Sequence, residues 1–118
     1  MIQVNNLTKG AVDGDFLKKV AKIVLKGERK ISKYPNIQIS IVLVGQARIK
    51  ELNRKYRGKN KATDVLSFKY DNNFGEVVIC PQKTKELTRV LVHGILHILG
   101  FDHSKEMQDK EDYYFSKI

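Results

Sequence analysis

A chain of 118 residues has room for one domain with a real core and too little for two, so residues 1–118 are expected to form a single unit. Hydrophobic residues at 42% and charged residues at 30% describe an ordinary soluble globular protein, and no apolar run is long enough to span a membrane. Lysine and arginine number 22 against 13 acids, a net charge of +9, which points to a polyanionic partner, nucleic acid first and an anionic membrane surface second.

Met1 to Asn5 reads as a short strand. Asp15 to Ile31 reads as an amphipathic helix with Phe16, Leu17, Val20, Ile23, Val24 and Ile31 on its apolar stripe and Asp13 or Asp15 as N-cap. Ile37 to Val44 is β-branched and alternating, a strand that Gly45 ends. Gln46 to Tyr56 follows as a helix with Ile49, Leu52 and Tyr56 inward, closed by Arg57-Gly58. Thr63 to Tyr70 and Glu76 to Ile79 read as two strands joined at Asp71-Asn-Asn-Phe-Gly75, a turn of residues that tolerate positive φ. Pro81 is expected to start the next helix, where its missing N–H costs nothing. That helix is apolar on nearly every side from Val90 to Leu99 and so should be central and buried. Ser104 to Ser116 reads as a final acidic surface helix. The order βαβαββαα implies an α+β fold: a small mixed sheet of about four strands packed with helices, the central buried helix carrying a His-x3-His pair.

Charge is unevenly distributed. From Arg48 to Lys61 there are seven basic residues and one acid, whereas Asp102 to Ile118 holds five acids and three lysines. Cys80 is the sole cysteine, which excludes an intrachain disulfide and fits a reducing cytoplasm. Met1-Ile-Gln-Val-Asn lacks the basic and apolar regions of a signal peptide, so none is expected.

All three histidines of the chain fall in His93-Gly-Ile-Leu-His97-Ile-Leu-Gly-Phe-Asp-His103. On a helix His93 and His97 sit one above the other on one face. Gly100 can end that helix in a left-handed conformation and let His103 close from a third direction. A single histidine on an apolar helix is usually a core residue satisfied by a hydrogen bond, but two would each need a buried partner. Three neutral imidazoles favour zinc, one ion per chain, and leave a fourth position for water. A closed structural site would need another ligand. Cys80 is a poor one, because thirteen residues at about 1.5 Å each along one helix would set it roughly 20 Å from His93. Asp102 more naturally orients a histidine than ligates.

The spacing His-x3-His-x5-His is also that of the metzincin proteases, which require Glu directly after the first histidine to activate water. Here that residue is Gly94, so the protease reading lacks its proton acceptor. A phosphodiester gains negative charge in its transition state, which a divalent ion undiminished by carboxylate ligands and an arginine would both address. Arg54, Lys55, Arg57, Lys59 and Lys61 are the candidates, against the simpler alternative of a solvated cationic helix face. Arg57 stands out beside Gly58 at the helix end.

Two segments, Glu51-Leu-Asn-Arg-Lys-Tyr-Arg-Gly-Lys-Asn-Lys-Ala-Thr-Asp-Val-Leu-Ser-Phe68 and Val92-His-Gly-Ile-Leu-His-Ile-Leu-Gly-Phe-Asp-His103, resemble the bacterial YbeY family of endoribonucleases and ribosomal RNA maturation factors. The similarity runs from about Ile37 to His103. It implies zinc on His93, His97 and His103, and Arg57, in the Leu-Asn-x-x-Tyr-Arg segment, acting on substrate. Arg57 and His97 are thus the catalytic candidates, with Lys59 and Lys61 beside Arg57 for RNA binding. It further implies a single-strand-specific ribonuclease acting on small-subunit ribosomal RNA at its 3′ end and in ribosome quality control; a cytoplasmic location and a monomeric state are expected alongside. The chain departs from the family pattern in lacking an additional short helix between Cys80-Pro81 and Val92-His93, in a curtailed stretch after His103, and in Glu76 where aspartate is usual. A non-catalytic RNA- or ribosome-binding module with a structural zinc is the alternative, and a metalloprotease a remoter one. Zinc hydroxide alone, Asp64 and Glu76 all stand as the general base.

Overall fold

Two parallel pairings and one hairpin build the sheet. In this computed structural model, which describes residues 2–118, strands β1 (Ile2–Asn6), β2 (Gln38–Leu43), β3 (Val65–Asp71) and β4 (Phe74–Ile79) lie in the order β1-β2-β4-β3. β1 and β4 flank β2 in parallel, with Val4 opposite Ile41 and Ile41 opposite Val77. β3 closes the edge antiparallel to β4, Ser67 opposite Val77. Met1, expected in the first strand, lies outside the described residues. This is the α+β fold expected, with a mixed four-stranded sheet.

Period-two alternation sorts the strands onto two faces. Ile39, Ile41, Leu43, Val77 and Ile79 enter a large core with helices α1 (Gly14–Glu28) and α3 (Leu87–Ile98). On the other face Leu66 and Val78 join Val44, Ile49 and Cys80 in a smaller cluster beneath helix α2 (Gln46–Arg57). Asp13 caps α1 by accepting the Phe16 N–H at 3.0 Å. α1 ends at Glu28, so Ile31, expected on its stripe, falls in the following turn and is 70% exposed. Phe16 and Tyr56, also expected inward, are exposed too.

The hairpin turn is tighter than expected: Asp71 Oδ1 accepts the Asn73 N–H at 2.7 Å, and β4 begins at Phe74 instead of Glu76. Pro81 does not open the long helix. Pro81–Lys83 is one 3-10 turn (η1) that Thr84, in extended conformation, breaks, and α3 starts at Leu87. Cys80 therefore does not share a helix with His93, and its failure as a ligand comes from its burial in the α2 cluster. Helix α4 (Lys105–Ser116) is also more than a surface helix. Ser104 caps it through the Met107 N–H at 3.2 Å, and Met107, Glu111 and Tyr114 form a buried stripe.

Candidate metal centre and its cleft

α3 is buried on both flanks: Leu91, Val92, Ile95, Leu96 and Ile98 enter the core, while Gly94 presses against the sheet. The stripe left over carries His93 and His97, half-buried, on consecutive turns. The helix ends in a Schellman motif, with Gly100 N–H donating to His97 O at 3.0 Å and Phe101 N–H to Leu96 O at 3.1 Å. That closure needs positive φ at Gly100, where it is 102°, and Phe101 then packs on the core. The reversal brings exposed His103 back to the pair. Ring centroids are 4.6 Å (His93–His97), 5.1 Å (His93–His103) and 4.6 Å (His97–His103) apart.

One nitrogen from each ring lies within 4.8 Å of the others, a set that could hold a metal ion. The donors suit one chemically. Burial, reinforced by the neighbouring His93 and His103, holds the His97 pKa below its ordinary value and keeps its lone pair free. Glu111, a residue sequence reasoning missed, bonds His93 from behind: Nδ1 lies 2.9 Å from its Oε2, which directs Nε2 towards the other rings. The Glu111 side chain is 9% exposed and also faces Arg89 at 3.5 Å. A signal for it existed, since Met107, Glu111 and Tyr114 recur at helical spacing and put an acid on an apolar stripe.

Beside the histidines opens a cleft of about 440 Å³ lined by Arg57, Asp64, Ser67, Lys69, His93 and His97. Arg57 reaches it because α2 ends just there. Gly58 takes φ 69° and Asn53, buried, donates through Nδ2 to Lys61 O at 2.9 Å, which fixes the loop. The guanidinium lies over the Phe68 ring at 4.9 Å and donates to Ser67 O at 2.8 Å, with the weaker Tyr56 O contact at 3.4 Å. Two of its five N–H donors are so engaged, and the others remain for a ligand. Lys59 and Lys61 are exposed on the loop beyond Gly58 and do not line the cleft. Of the two acids considered as base, Asp64 lines it. Glu76 lies on the other sheet face, bonded by the Tyr70 hydroxyl at 2.9 Å.

The family model described as Endoribonuclease YbeY matches residues 3–117. The chain belongs to the YbeY family. It is 42% identical over 113 residues to the endoribonuclease YbeY of Thermodesulfovibrio yellowstonii, a match covering 80% of this chain and just under two thirds, 66%, of that one. Against the endoribonuclease YbeY of Thermotoga maritima, identity is 32% over 138 aligned positions, covering 100% of this chain and 89% of the relative. The solution structure of a Thermotoga maritima protein superposes with a TM-score of 0.66 at 32% identity, covering 99% of this chain and 88% of that one. The family is described by an endoribonuclease activity, that is, as RNA-cleaving hydrolases. The fold also disfavours the protease alternative on steric grounds. A Cβ at Gly94 would lie 2.7 Å from Val77 Cγ1, so the glutamate that a metzincin carries there has no room. No helix among the described residues is long and apolar enough to cross a membrane.

Proposed function

We propose that this chain is a zinc-dependent endoribonuclease that cuts single-stranded RNA, with one ion on His93, His97 and His103. Its substrate in this reading is small-subunit ribosomal RNA, matured at the 3′ end and monitored for ribosome quality, in the cytoplasm and as a monomer. The observation that carries it is the opening of Arg57 and the histidine pair into one cleft, although 36 residues separate Arg57 from His93 in the chain. A bound zinc would supply Lewis acidity to a phosphodiester, and three uncharged imidazoles would leave its charge undiminished. Arg57 binds a phosphate oxygen with its free donors and meets the charge that builds there in the transition state. Asp64, the acid lining the cleft, accepts the proton of the attacking oxygen. Glu111 holds His93 in the tautomer that presents Nε2. Lys59 and Lys61 attract the RNA backbone at the rim.

Elemental analysis with RNA cleavage, on the native chain and on His97→Ala, tests this. One zinc per chain and cleavage of single-stranded RNA that disappears in His97→Ala are expected. A native chain that binds zinc and RNA but cuts nothing would be a binding module instead.

A further inference from the structure

On the sheet face opposite α3, beside the cluster under α2, runs a row of partly exposed rings. Tyr56 meets Phe68 edge-on at 5.5 Å. Phe68 lies nearly parallel to Tyr70 at 6.3 Å and 17°, and Tyr70 to Phe74 at 5.5 Å and 15°. Phe68 belongs to the small cluster under α2, but Tyr56, Tyr70 and Phe74 are 52%, 58% and 37% exposed. Such a contiguous exposed aromatic surface marks an interaction site. It borders a groove of about 480 Å³ whose cationic side chains are Arg48 and Arg57, the Lys69 ammonium turning to the other sheet face over Tyr34. Arg57, Ser67 and Lys69 line the histidine cleft too, so the two recesses adjoin along the edge strand β3.

We propose that this groove is a base-stacking subsite for single-stranded RNA, extending from the metal centre along Tyr56, Phe68, Tyr70 and Phe74. The inference deepens the ribonuclease reading and rests on it. Every base has a π-face, so exposed rings on a sheet hold a strand without demanding a sequence, and such a platform accommodates about two or three bases. Charge orients the strand. Glu76, accepting from Tyr70 within the groove, repels phosphates there, whereas Arg48 and Arg57 attract them, so bases face the rings and the backbone follows the arginines.

The test is binding of a fluorescein-labelled eight-nucleotide single-stranded RNA to the full chain in chelator, which halts cleavage, across a salt series. Tyr70→Ala with Phe74→Ala should raise Kd about tenfold or more, and Tyr70→Phe should change it about twofold at most. The slope of log Kd against log salt should stay unchanged in the double variant, since no phosphate contact is removed. The chain has no tryptophan, so Tyr70→Trp provides a single reporter whose fluorescence RNA should quench by stacking. That readout stands even if the double variant misfolds. If the native chain binds and cuts RNA while the double variant, folded by circular dichroism, binds equally well, the subsite is refuted and the nuclease reading survives. Absence of quenching in an RNA-binding Tyr70→Trp chain would refute it too. A native chain that neither binds nor cuts RNA overturns both.

Discussion

Gly94→Ala should destabilise the protein by about 2 kcal/mol and weaken its grip on a metal. A methyl built at Gly94 lies 2.7 Å from Val77 Cγ1, 3.1 Å from Ser67 Oγ and 3.3 Å from Val65 Cγ2, against 3.4–4 Å for ordinary contact. Val77 is fully buried in the central part of the sheet, and Ser67 Oγ is tied to the Gly94 carbonyl at 3.0 Å, so neither neighbour moves freely. Overpacking of this kind costs about 1–3 kcal/mol, and a shortfall of 0.7 Å (3.4 less 2.7) against a strand side chain belongs near the upper value. Replacing glycine by alanine inside a helix returns about 1 kcal/mol, so the two oppose and packing wins by about 2 kcal/mol. Relief comes by pushing α3 off the sheet, which displaces His93 and His97 relative to His103. Urea unfolding followed by circular dichroism measures the first effect, and competition with a chelating indicator the second. A Gly94→Ala chain as stable as the native one would refute the packing argument.

Glu111→Gln keeps the shape but removes the charge behind His93, and should lower metal affinity about 10–100-fold in the same competition assay. Arg57→Ala should retain fold and metal yet lose about 2–4 kcal/mol in kcat/KM for RNA, with Arg57→Lys recovering only part because a point charge cannot match a planar fork. Tyr70, through burial and then its bond to Glu76, has its pKa raised from 10.0 to about 12, and burial and Glu28 raise that of Tyr114 as well. The folded state thus favours both neutral phenols: their stabilisation is complete below the unfolded value near pH 10 and is lost as pH rises through the folded values. Ultraviolet titration should show late-ionising phenols, and Tyr70→Phe should remove the one near pH 12.

What was legible in the chain was whatever depends on local spacing. Strand alternation in Ile37 to Val44, the paired histidines and Gly100 each carry their own periodicity or φ requirement, and the metal cluster followed from them. The start of α3 was misplaced because proline suits the first turn of a 3-10 segment as well as that of an α-helix, and only Thr84 in extended conformation separates them. Glu28 and Glu111 went unread for another reason. Charge suggests solvent, while both sit on apolar stripes whose partners, Tyr114 with Lys110 and His93, come from distant helices. Where each acid ends up is likewise a tertiary property: Asp64, in the loop just before β3, lines the cleft, whereas Glu76, within β4, faces the other side of the sheet.

α4 holds two tethers at once. Lys110, at 3.2 Å, and Tyr114 bind Glu28 of α1, and one turn brings Glu111 to His93. Docking of this helix and occupancy of the metal centre are therefore linked equilibria, each favouring the other by the same free energy. Loading the ion should slow amide hydrogen exchange along Lys105–Ser116. Conversely, Tyr114→Phe, more than 10 residues from any histidine in the chain, should make the metal easier to strip.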